Sequence, residues 1–155
     1  MKKETARIIL IVSLLIAAFA AGGFKIWYSM NDYDWVLEAN WHLTLPKEAK
    51  CHEVFEQNDE PSFHGDGFRY HVFSYQDEEA VKAWLPWQEE EGTTIYHGLY
   101  AESAETWLDA IFVLAEQRPR YEGSVYWYEK QDDNSEILVI WNRDEQLLYI
   151  VESFL

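Results

Sequence analysis

The chain has 155 residues, 48% hydrophobic and 17% aromatic, a composition that packs one core and excludes an intrinsically disordered protein. Its 12 basic residues are outnumbered by 28 acidic ones, for a net charge of −16, and a surface of that sign repels phosphate backbones, which excludes nucleic acid as a partner. The single cysteine, Cys51, excludes an intrachain disulfide, so stability has to come from the core alone.

The first element is an address. Lys2, Lys3 and Arg7 precede the uncharged run 8–24, which is 17 residues long, at the lower edge of what crosses a bilayer as a helix. Residues 1–28 read as a signal anchor or a signal peptide, and both remain open. In the anchor, Trp27 and Tyr28 form an outer aromatic belt with Lys25 snorkelling beside them; in the cleaved form, Ala18-Phe19-Ala20 is the processing site. The immediate succession of apolar run and "FKIWY" favours the anchor. The positive-inside rule then keeps the N-terminus cytoplasmic and puts the rest of the chain outside, in the cell membrane's outer compartment or secreted. No cysteine lies near the end of the apolar run, so a lipoprotein is not expected. From residue 26 onward, 8 basic residues face 27 acidic ones, a net of −19 for the expected extracytoplasmic part.

Residues 29–49 read as a connector with one helical turn, ending at Pro46, and residues 50–155 as the extracytoplasmic domain. "KCHEVFEQ" and "FRYHVFSYQ" have the β-branched and aromatic content of two adjacent strands, joined through the turn-forming "NDEPSFHGDG". Asp77 is the N-cap of a first helix, with Glu78 and Glu79 in the turn where the helix dipole favours anions; Ala80, Val81, Trp84 and Leu85 give it an apolar stripe, and Pro86 limits it. Ser103 is the expected cap of a second helix, whose stripe runs through Ala104, Trp107, Leu108, Ile111, Phe112 and Ala115, with Arg118 in its last turn and Pro119 stopping it. "GSVYWYEK", "EILVIW" and "QLLYIVESF", separated by polar turns, predict an antiparallel meander. The fold class is therefore α+β: an antiparallel sheet of about five strands in the order ββααβββ, with two helices on one face. The last strands carry large apolar residues on both parities, so a second face also needs cover, from the connector with Trp35 and Trp41, from sheet curvature or from another protein.

Chemistry is concentrated in one place. His64 and Asp66 are zinc-ligating types in the loop His64-Gly65-Asp66-Gly67, and His71, Glu53, His52 and Asp59 lie close by in sequence. His64, Asp66 and His71 are the candidate metal ligands. Against them stand the missing H-E-x-x-H, since Glu56 occupies the second histidine's place, and the strong turn character of Asp66-Gly67; the turn is the favoured reading. Cys51 and His52 are neighbours on a strand and point apart, which argues against a catalytic pair. Glu89, Glu90 and Glu91 read as a solvated connector, His42 and His97 as surface or packing residues, and no nucleophile elbow or phosphate loop is present.

The "FHGDG" phrase, preceded by "LP" and by a membrane segment, resembles small membrane-anchored proteins of Gram-positive bacteria over about the first half of the chain. That resemblance implies the same address and no activity. The expected function is a non-enzymatic extracytoplasmic binding or interaction module, immunity-like or accessory to the envelope, meeting a protein partner through a face built on Trp127, Trp141 and Tyr149. No cofactor is expected; the alternative is a metal-binding protein or metal-assisted hydrolase using His64 and Asp66.

Overall fold

A computed structural model describes residues 33–47, 52–58, 66–88 and 99–155. The expected anchor at 1–28, His64, Cys51, Glu89–Glu91 and His97 lie outside the described residues. Among the described residues no helix is long and apolar enough to cross a membrane. The chain divides into two units, Met1–Leu45 and Pro46–Leu155.

In the first unit, α1 spans Tyr33–Trp41. Its end is closed by His42, whose left-handed φ of 55° lets the His42 N–H donate to the Glu38 carbonyl at 3.0 Å, the 5→1 bond of an αL cap. Asp34, in the first turn, accepts from the Leu45 N–H at 2.6 Å and ties the following segment back to the helix.

The second unit is α+β, as the sequence predicts, with β1 at His52–Asn58, β2 at Gly67–Ser74, α2 at Glu78–Lys82, α3 at Leu99–Ala110, β3 at Ser124–Lys130, β4 at Glu136–Asn142 and β5 at Leu147–Phe154. Every strand pairing is antiparallel, in the spatial order β1-β2-β5-β4-β3, so the first hairpin joins the meander along β5 and leaves β1 and β3 at the edges. The edge of β3 is partly closed, because Gln88 exchanges backbone hydrogen bonds with Tyr126 at 2.8 and 3.2 Å.

Register decides which residues share a face. Leu138 stands opposite Val151 and Ile140 opposite Tyr149, while Tyr70 and Val72 face the same two β5 residues from the other side. With Tyr126, these side chains form a core cluster against Ala101, Ala104, Trp107, Leu108 and Ile111, and α3 lies on β2 and β5. Among the described residues that cluster draws its helical members from α3; Val81, the buried residue of α2, does not belong to it, so two helices do not share this layer. The other face of the sheet carries Ile137, Val139, Trp141, Leu148 and Ile150, all at 0% exposure.

α2 has the predicted cap: Asp77 accepts from the Glu79 and Ala80 N–H groups at 3.1 and 3.3 Å. α3 departs from expectation at both ends. It begins at Leu99, which makes Ser103 an interior residue, and it stops at Ala110 rather than running to Arg118. The stop is a Schellman motif: Val113 N–H donates to the Leu108 carbonyl at 3.0 Å and Phe112 N–H to the Asp109 carbonyl at 3.1 Å. Phe112 occupies the left-handed position, with φ 58°, where glycine is the usual residue, and its side chain is 87% exposed. The predicted stripe therefore holds through Ile111 and fails at Phe112 and at Ala115, which is exposed in a short 3-10 turn over Ala115–Gln117.

Arg118 then folds back rather than ending a helix. Its Nη1 donates to Glu105 at 2.6 Å, Nη2 to Asp109 at 2.5 Å, and Nε to the Val113 carbonyl at 3.0 Å. Tyr121 donates to the other oxygen of Glu105 at 2.6 Å, and Tyr70 donates to the Gln117 carbonyl at 2.6 Å, so the segment after α3 is tied to both helix and sheet. Burial pushes the Tyr70 phenol far above its ordinary range, with nearby Tyr149 and Tyr121 adding to the effect. Burial likewise raises Tyr149, whose hydroxyl donates to Glu145 at 2.8 Å, and pushes Tyr128, beside Glu136, up to about 12.

Candidate metal centre

A regular strand sends residues i and i+3 to opposite faces, so "HEVFEQN" should separate Glu53 from Glu56. The structure inserts one extra residue. Glu53 pairs with Phe73 and Phe55 with Val72, consecutive residues of β2, which leaves Val54 unpaired as a bulge. With Val54 out of the count, Glu53 and Glu56 are two steps apart and lie on one face, and Glu56 stands directly opposite His71. The bulge is on the edge strand, where it disturbs only one ladder.

His71 is 3% exposed, and its ring lies nearly parallel to Phe73 at a centroid distance of 6.3 Å and an interplanar angle of 13°. Its Nδ1 is 2.6 Å from Glu53 Oε1, a spacing at which an Nδ1–H donates to the carboxylate. One ligand atom from each of Glu53, Glu56 and His71 lies within 4.8 Å of the others, the carboxylates exposed and the imidazole buried. Two ligands each about 2.1 Å from a tetrahedral ion stand about 3.4 Å apart. Gathering an ion therefore requires the Glu53–His71 pair to open and the widest separation to close. Glu53, with its side chain 34% exposed, has the rotational freedom for the first. Glu56, which accepts from Asn58 Nδ2, exchanges a surface hydrogen bond for the second.

The same face becomes more polar toward Gly67, where β2 begins. Arg69 stands opposite Glu152 of β5, which is 0% exposed, and the Arg69 guanidinium carbon is 4.5 Å from the centroid of the Phe154 ring. Arg69 Nη1 is buried without a hydrogen-bond partner among the described residues. A face otherwise filled largely by Ile, Val, Leu and Trp thus carries Glu53, Glu56, His71, Arg69 and Glu152 along β1, β2 and β5, with Glu129 at the β3 edge.

Of the predicted ligands, His71 belongs to this centre. Asp66 does not: it is exposed, next to Gly67 at the start of β2, and five residues of extended chain separate it from His71 by about 16 Å. His64 lies outside the described residues; among those described, Glu53 and Glu56 are the groups that meet His71. Glu53 is recognisable as a neighbour in the sequence, but Glu56 enters there only as the residue in the place of a second histidine; regular alternation would part it from Glu53, and nothing in "EVFE" announces a bulge.

The predicted aromatic face is also corrected. Trp141 and Tyr149 are buried on opposite sides of β4–β5, the first edge-on to Tyr75 and the second in the α3 core, while Trp127 is half-buried on β3. They form no common exposed surface. The failure is one of register: antiparallel pairing joins odd positions of β5 to even positions of β4, so residues of equal parity on the two strands part company.

Comparison of the chain with family models, with curated proteins and with solved structures finds no match.

Proposed function

We propose that this chain is a membrane-anchored extracytoplasmic binding module, not an enzyme, and that its ligand is a divalent cation held by Glu53, Glu56 and His71. The observation that carries this reading is the convergence of two carboxylates and a buried imidazole within 4.8 Å across β1 and β2. Two further features support it. The acidic excess of the chain raises the local concentration of cations at its surface. The charge-free run 8–24, with Lys2, Lys3 and Arg7 before it, supports the address.

The test is a thermal melt of the full-length chain in detergent, with and without zinc or calcium. An ion bound at 100 times its dissociation constant stabilises the folded state by about 2.7 kcal/mol. The upward shift should disappear in the double variant Glu53→Gln, Glu56→Gln, whose substitutions sit on an exposed edge. An unchanged melting temperature at millimolar metal would sink the proposal.

A further inference from the structure

The donor set narrows the ion and the kind of site. We infer that the centre selects a borderline transition ion of the zinc class over calcium and magnesium, and holds it with an open outer position that takes a neutral nitrogen or oxygen donor. This rests on the cation-binding reading above and goes beyond it in two respects.

The first respect is ion class. Calcium takes six to eight oxygen ligands and magnesium keeps a shell of water with oxygen donors, whereas an imidazole in the set favours zinc and its neighbours. His71 is the least mobile member of the three, 3% exposed and packed against Phe73, so the nitrogen is not an optional ligand that swings away. A site whose most fixed donor is an imidazole is poorly matched to a hard cation.

The second respect is openness. Three protein donors do not complete a tetrahedral shell, and zinc sites with three protein ligands hold an exchangeable group in the fourth position. The geometry points that position outward. The imidazole lies beneath, inside the sheet face, and both carboxylates are exposed on β1, the edge strand among the described residues. Charge selects what enters. A dication with two carboxylates is neutral; Arg69, the cation on the same face, stands opposite Glu152, and the chain as a whole is acidic, so an anion gains little and a neutral amine, imidazole or water is preferred.

The experiment has two arms on the full-length chain in detergent. In the first, zinc and calcium are titrated separately by calorimetry; zinc should bind with one-to-one stoichiometry and at least about a hundredfold tighter than calcium. Glu56→Gln, an exposed substitution that leaves the core untouched, should weaken zinc by about tenfold or more, a loss of about 1.4 kcal/mol. Calcium binding as tightly as zinc would overturn the ion class while leaving the cation-binding proposal standing, and binding of neither ion would overturn both.

In the second arm, cobalt(II) replaces zinc and its visible bands are followed as imidazole or azide is added. A band shift at lower imidazole than azide, with cobalt still bound after desalting, is the expected result. Bands insensitive to both ligands would show a closed shell and overturn the open position; a preference for azide would overturn the charge argument.

Discussion

Replacing Phe112 with glycine should stabilise this protein, although it removes a large aromatic side chain. Phe112 holds the left-handed position of the motif that ends α3, at φ 58°. A left-handed backbone costs an L-residue about 1–2 kcal/mol. Glycine avoids that cost but gives back about 0.5–1 kcal/mol through its greater freedom in the unfolded chain. The ring is 87% exposed, so it retains about an eighth of a burial term of roughly 2 kcal/mol, about 0.3 kcal/mol. The balance is a net gain of about 0.5 kcal/mol for Phe112→Gly. Phe112→Ala keeps the strained backbone and loses only the ring, so it should cost about 0.3 kcal/mol. Equilibrium urea unfolding of the full-length chain in detergent, followed by tryptophan fluorescence, measures both variants against wild type. Leu108 and Val113, the hydrophobic pair that accompanies the motif, are untouched in each. A glycine variant that unfolds at lower urea than the alanine variant would refute the strain argument.

Two other outcomes follow from the same packing. Arg118→Met removes charge-assisted bonds to Glu105 and Asp109 and the bonds to the Val113 carbonyl, and should cost about 2 kcal/mol in urea unfolding; Arg118→Lys should recover only part of this, because one ammonium cannot span all three acceptors, and full recovery would show that charge alone matters. The raised phenols of Tyr70, Tyr149 and Tyr128 predict alkaline destabilisation. Above pH 10 the unfolded chain releases these protons while the folded one keeps them, so the folded state binds more protons and stability falls as pH rises. The slope is up to about 1.4 kcal/mol per pH unit for each fully protected phenol, less for half-exposed Tyr128, whose share ends near its folded value of about 12. Tyrosinate absorbance at pH 11 should report these three residues as still protonated before unfolding, and their normal ionisation in the folded protein would contradict the burial argument.

Local grammar made much of the fold legible. Turn clusters bounded the five strands, and Asp77 followed by Glu78 and Glu79 announced α2 because a cap acts on the nearest N–H groups and requires nothing distant. The end of α3 was not legible. No glycine or proline stands between Ala110 and Arg118, and the chain leaves the helix through a phenylalanine in a conformation that residue disfavours, held by bonds to Leu108 and Asp109 and by Arg118 reaching back. The metal centre was half legible. His71 could be named as a ligand type, but its partners depend on a bulge whose only local sign is Val54, an ordinary β-former exposed at the sheet edge.

The sequence by itself determined the composition of the core, the strongly acidic balance, the absence of a disulfide and the order of strands and helices, because these follow from residue type and from periodicity within one element. Only the tertiary structure decided which residues meet. Pairing register sent Trp141 and Tyr149 to opposite faces, and a single unpaired residue in β1 brought Glu53 and Glu56 to the same side of the sheet as His71. Alternation has a period of two, so one residue inserted or shifted between strands reverses every side chain beyond it, and that parity is set by hydrogen bonding between segments distant in the chain.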